Sequence, residues 1–115
     1  MAASGQRRPS DITLARIIAE AVRQVPGVAR ISAPGVAAAT YGVGTEVSGI
    51  AVRRVDAAVA ADVHVTAVYQ PELDLPELAR RVRGAVVQAL KQHGVGPIGQ
   101  VDVVIDDLEV GSQHT

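Results

Sequence analysis

The segment 59-VAADVHVTAVYQ-70 constrains the fold more than any other part of the chain. Its odd positions are apolar and end in Tyr69, whereas its even positions include Asp62, His64 and Thr66. This period of two, with one dry face and one mostly polar face, predicts a β-strand. The dry face must be covered by amphipathic elements elsewhere in the chain.

Two stretches have the pattern of amphipathic helices. The first starts at Ile12 after a cap at Ser10 or Asp11 and stops at Pro26-Gly27. The second opens with the capping-box pattern 74-DLPE-77 and ends at Gly94. Their apolar residues recur at spacings of three and four, so each helix has one face suited to covering a sheet.

The remaining segments predict three further strands and a loop. We expect strands at 28-VARIS-32, 46-EVSGIAVRRV-55 and 100-QVDVVIDDLEV-110, and a glycine-containing loop at 33–45. The order is therefore α-β-β-β-α-β, an α+β fold with a three- to four-stranded sheet and two helices on one face. We predict a single domain at 10–110, flexible tails at 1–9 and 111–115, and a right-handed connection within 59–110.

Composition excludes several function classes. The chain has no cysteine, which excludes thiolate catalysis and cysteine-based zinc sites. Its formal net charge of −1 provides no basic field for a nucleic-acid backbone. The start of the chain lacks the pattern of a secretory signal, and no apolar stretch reaches the ~20 residues of a transmembrane helix. We expect a soluble protein inside the cell.

The glycines of 41-YGVGTEVSGI-50 raise the possibility of a phosphate-binding loop. Such loops place backbone N–H groups at the start of a helix, whereas these glycines precede a predicted strand and no Gly-Lys-Ser/Thr follows. The simpler interpretation is a bend between strands. Gly49, inside a predicted strand, indicates a bulge or a close packing contact.

Titratable residues offer few candidate sites. His64 lies beside Asp62 and Thr66 on the polar face of the best strand, and the simpler interpretation is an exposed sheet histidine. The last strand carries four acidic residues, which could bind a hard cation but are better explained as a solvated or protein-binding edge: Asp102, Asp106, Asp107 and Glu109. We expect no catalytic, metal-binding or cofactor-binding residues.

Two sets of residues are candidates for a partner interface. Val104, Leu108 and Val110 alternate with the Val101, Val103 and Ile105 face, so the last strand should be apolar on both sides. One set would face the helices and the other could bury against another chain, including a second copy. Arg80, Arg81 and Arg83 on the second helix could contact an acidic partner or anionic lipid, although a solvated helix face is the simpler interpretation of so few charges.

Several segments, in this order and spacing, resemble the alkaline shock protein family of Gram-positive bacteria. They are 25-VPGVARIS-32, 47-VSGIAV-52, 63-VHVTAVY-69, 75-LPELARRVRGAV-86 and 101-VDVVIDDLEV-110. The resemblance covers roughly residues 10–110. It implies a non-enzymatic α+β domain with no catalytic residues to carry over. It also implies a cytoplasmic protein held at the inner face of the cell membrane by a membrane-anchored partner, with a role in envelope stress and homeostasis and, in some members, self-assembly.

Two other functions remain as alternatives. A small sheet with two helices could be an RNA- or nucleic-acid-binding module, but the chain lacks strand aromatics for base stacking and a G-x-x-G between helices. A small ligand-binding enzyme would need a pocket around His64, Asp62 and Thr66.

The arginine- and alanine-rich composition suggests a high-GC actinobacterium as the source.

Overall fold

The computed structural model describes residues 9–33, 38–42 and 44–110. The two helices are α1 (Asp11–Arg23) and α2 (Leu75–Gln92). The strands are β1 (Val28–Ile31), β2 (Ala39–Gly42), β3 (Thr45–Ser48), β4 (Ile50–Val55), β5 (Ala58–Tyr69) and β6 (Ile98–Val110). The predicted tails at 1–9 and 111–115 lie outside the described residues, except for Pro9.

The main sheet is built around β5. On one side, β4 pairs with the first half of β5 and β1 with the second half, both antiparallel. On the other side, β6 runs parallel to β5 along nearly its whole length, and α2 connects the two strands. The result is a mixed four-stranded sheet, so the predicted α+β class and the strand–helix–strand unit are confirmed.

Both helices cover the same face of this sheet. Ser10 accepts a hydrogen bond from the Thr13 N–H and Asp74 accepts one from the Glu77 N–H, as the capping patterns predicted. Among the described residues, the hydrophobic cluster that they enclose is aliphatic, and its fully buried members include Leu14, Ile18, Val22, Ile50, Val63, Val65, Leu78, Val82, Val86 and Leu90. The opposite face of the sheet, formed by Asp62, His64, Thr66 and their neighbours, is called the open face below.

Within the described residues, the structure has two strands more than the sequence predicted. Residues 39–42 lie inside the predicted loop yet form β2, which pairs with β3 as a separate two-stranded sheet. The Thr40 hydroxyl joins this hairpin to the main sheet, because it donates to the Ile50 carbonyl at 2.7 Å and accepts from the Val52 N–H at 3.0 Å. A hydroxyl bridge of this kind leaves no periodic signal in the sequence.

Gly49 divides the predicted strand at 46–55 into β3 and β4. Its φ is +86°, in the left-handed region, and a Cβ at this position would collide with the Ser32 carbonyl and the Ile31 side chain. Only glycine meets both requirements at once. The predicted close packing contact at Gly49 is therefore confirmed, and it marks the boundary between the two sheets.

A buried hydroxyl pair links β5 to the segment that follows β1. Ser32 Oγ and Thr66 Oγ1 lie 2.9 Å apart, and both residues are buried. We expect Thr66→Val to lower the free energy of unfolding by about 1–3 kcal/mol, because it leaves the Ser32 hydroxyl buried without this partner. The double variant Ser32→Ala/Thr66→Val should lose less than the sum of the two single variants in urea denaturation. Additive losses would contradict this account.

Candidate interaction surface

An ionic network crosses the open face from β4 to β6. The Arg53 guanidinium lies 2.8 Å from Asp62 Oδ1 on β5 and 3.9 Å from Asp102 Oδ2 on β6. Because the turn at Asp56 and Ala57 places Arg53 opposite Ala60, its side chain reaches the carboxylate two residues farther along β5. Sequence reasoning missed this pairing, which the short turn between the two strands could have revealed.

His64 pairs with an acidic residue of the neighbouring strand rather than with its sequence neighbours. Its Nδ1 lies 3.0 Å from Asp106 Oδ2, and the side chains are 19% and 27% exposed, respectively. Asp62 is instead bonded to Arg53, and Thr66 to Ser32. The structure thus does not unite the three residues considered for a small enzyme. Over 9–33, 38–42 and 44–110, no group of three His, Cys, Asp or Glu side chains is arranged to hold a metal ion.

A β-bulge at Asp106 changes the face on which the end of β6 presents its side chains. Ile105 pairs with Val65 and Asp107 with Thr66, so Asp106 is the additional residue. Leu108 consequently lies opposite Ala67, on the face that the helices cover, whereas Val104 lies opposite His64 on the open face. The prediction that Val104, Leu108 and Val110 share one face is wrong, because strict alternation does not allow for a bulge.

The bulge creates an exposed apolar surface at one end of the sheet. Val110 pairs with Tyr69, and the exposed fractions of Tyr69, Leu108 and Val110 are 51%, 45% and 78%. These three residues are called the β6 end patch. Sequence reasoning assigned Tyr69 to the dry face of β5 and therefore missed it as a surface residue. Val104, also exposed, lies apart from the patch on the open face.

The three arginines of α2 point in different directions. Arg80 pairs with Glu77 of the same helix at 2.7 Å, and Arg81 donates to the Pro26 carbonyl at 3.4 Å. Arg83 reaches the edge of the sheet, where its Nε donates to the Val101 carbonyl at 3.0 Å. The structure thus does not bring them together as one basic patch, and their contact with a partner stays a prediction.

The sequence model of the alkaline shock protein 23 family matches residues 2–110, and this family has a cell envelope-related function. The chain belongs to this family. The resemblance seen in the sequence is thereby confirmed, and so is the link to the cell envelope at the level of the family. No curated protein matches the chain. Neither α1 nor α2, the helices of the described ranges, is long and apolar enough to cross a bilayer.

Solved structures of the MamM CTD share the fold of this family member. Its copper form superposes with a TM-score of 0.57 at 20% sequence identity, covering 89% of this chain and 90% of that domain. A single-substitution variant of that domain gives a TM-score of 0.57 at 19% identity, covering 87% of this chain and 100% of that one. A nickel form of another variant gives 0.54 at 20% identity, over 84% and 98%. At this level of identity, the similarity establishes the fold alone.

Proposed function

We propose that this protein is a non-enzymatic interaction module that serves cell-envelope homeostasis and the envelope stress response. It acts as a scaffold at the cytoplasmic face of the membrane, where a membrane-anchored protein holds it. The membership in a family with a cell envelope-related function supports this role. The observation that carries it is the β6 end patch, a cluster of large apolar side chains at the surface.

The β6 end patch has the properties of a protein-binding surface. Two neighbouring strands end side by side with Tyr69 and Val110 exposed in register, and Leu108 adjoins them. Fully burying a large apolar side chain contributes about 1.5–3 kcal/mol. Tyr69 and Leu108 are about half exposed, so a partner that covers the patch gains roughly half of this from each of them. Tyrosine is also enriched at the centres of interfaces.

The pairing of the polar groups supports a role without catalysis. Asp62 is engaged by Arg53, His64 by Asp106 and Thr66 by Ser32, so each is held by a different neighbour. A general base requires a nucleophile or a substrate proton within hydrogen-bond reach. These side chains instead stabilise the contacts between strands.

Co-purification of the membrane-anchored partner with variants of the β6 end patch tests whether this patch binds it. We expect the double variant Leu108→Gln/Val110→Thr to bind the membrane-anchored partner at least about tenfold more weakly, because two apolar contacts are lost. Tagged protein is purified from the native host with membrane and soluble fractions analysed separately by mass spectrometry. The matched control is Leu75→Gln/Val55→Thr, which changes two exposed apolar residues outside the patch.

Equal recovery with both double variants would remove the β6 end patch from the proposal. Recovery from the soluble fraction alone, with no membrane protein, would contradict the envelope scaffold. Self-association of the chain stays a prediction from the sequence, and sedimentation velocity at increasing concentration measures it.

A further inference from the structure

We propose that the outer edge of β6 binds an extended basic segment of the partner protein, which adds a strand to the sheet. This inference rests on the proposed function and specifies the chemistry of the partner. β6 has 13 residues and, within the described ranges, pairs only with β5. Its other edge is therefore available for main-chain hydrogen bonds with an incoming strand.

Two hydrogen bonds identify the backbone groups on this outer edge. The Val101 carbonyl accepts from Arg83 Nε, and the Leu108 N–H donates to the Asp107 carboxylate at 2.8 Å. The partner of the first group is on α2 and that of the second is on β6 itself, so both backbone groups point away from β5. Because backbone groups alternate in direction along a strand, the N–H and C=O groups of Val103 and Ile105 lie on the same outer edge. These are the groups that an added strand would bind.

The side chains beside this edge form two rows of different chemistry. On the helix-covered side they are apolar, and the row includes Val103, Ile105 and Leu108. On the open-face side the bulge places Asp106 and Asp107 next to each other, between Asp102 and Glu109. Residues 98–110 contain no lysine or arginine. An added strand lays alternate side chains beside these rows, so the matching segment alternates apolar with basic residues.

The acidic row also selects against a second copy of the chain. If two β6 edges paired, each row of carboxylates would face another, and like charges opposite one another destabilise a strand pair. Asp106 is already engaged by His64 at 3.0 Å, so the carboxylates that an incoming strand would meet are Asp102, Asp107 and Glu109. Arg53 lies 3.9 Å from Asp102, and Arg30 lies 3.5 Å from Glu109 with both side chains more than half exposed. A basic strand would neutralise what its own chain does not.

Two hydrogen bonds within the chain occupy backbone groups of this edge, and an incoming strand can replace them. Arg83 and Asp107 occupy one backbone acceptor and one backbone donor through exposed or partly exposed hydrogen bonds. When a strand takes over the Leu108 N–H, the Asp107 carboxylate is released toward the basic side chain beside it. The same residue thus protects the free edge and contributes to the bound one.

Fluorescence anisotropy of the full chain with labelled peptides tests this assignment. The probe is a short peptide that alternates arginine with valine, and the controls are the same peptide with glutamate for arginine and a version N-methylated at alternate backbone positions. We expect only the first to bind. The charge-removing variants Asp107→Asn and Glu109→Gln should each weaken binding by about two- to fivefold, whereas Glu20→Gln on α1 should leave it unchanged. Hydrogen exchange at Val103 and Ile105 should slow when the peptide is bound.

Three results would overturn the inference. One is equal binding of the N-methylated peptide, which would show charge attraction without strand addition. Another is failure of the arginine–valine peptide to bind, and the third is protection of Val103 and Ile105 by self-association without any peptide. The pull-down separates this inference from the proposed function. Recovery of a membrane-anchored partner without peptide binding removes only the strand addition, whereas peptide binding without such a partner removes only the envelope role.

Discussion

Replacing Gly49 with alanine is expected to lower the free energy of unfolding by about 2–5 kcal/mol. The left-handed backbone costs a residue with a Cβ about 1–2 kcal/mol, and overpacking in a tight site adds about 1–3 kcal/mol. The new methyl group would collide with the Ser32 carbonyl, a backbone atom that cannot rotate away. Urea denaturation followed by circular dichroism measures the loss.

Gly84 provides the matched control for this substitution. It lies within α2 on an exposed face, and a Cβ there would meet no atom within 4 Å. Gly84→Ala should therefore raise the free energy of unfolding by about 0.5–1 kcal/mol, because alanine is the better helix former. If both variants changed stability in the same direction, the role assigned to Gly49 would be wrong.

The second large effect is expected in the aliphatic core. Leu14 of α1 is fully buried, and Leu14→Ala should lower the free energy of unfolding by about 2–5 kcal/mol through lost transfer free energy and a residual cavity. Both tyrosines of the chain are about half exposed, so small branched side chains hold the helices on the sheet. The same urea titration gives the change in midpoint.

Leu75→Ala serves as the comparison for Leu14→Ala. Leu75 is the first residue of α2 and is 38% exposed, so its truncation should cost less than about 1 kcal/mol. A cost similar to that of Leu14→Ala would show that Leu75 contributes to the core far more than its exposure indicates.

The elements with strong local signals were predictable from the sequence. Ser10 and Asp74 cap the two helices because their short polar side chains reach backbone N–H groups within the first turn. β5 was equally clear, since its odd positions from Val59 to Ala67 are apolar and all buried. The pattern was enough to predict the strand, but it did not show that Thr66 is buried or that Tyr69 is exposed.

What the sequence did not predict depends on contacts between distant segments. β2 is held against β4 by the Thr40 hydroxyl. The side chains at the end of β6 change face because Asp106 is an additional residue relative to β5. The candidate surface was predicted to include β6, but its grouping was wrong. In the structure Tyr69 lies beside Leu108 and Val110, whereas Val104 lies on the open face. Sequence alternation in one strand cannot show this, because register is a property of the strand pair.

The central position of β5 has a consequence for how the chain folds during synthesis. Its antiparallel partners, β1 and β4, precede it along the chain, whereas β6 follows only after α2. Until residues 98–110 leave the ribosome, the nascent chain presents one side of β5, 12 residues long, without a strand partner. Unpaired strands of this composition are prone to aggregate. A chain that ended before β6 would thus be an aggregation hazard rather than a smaller domain.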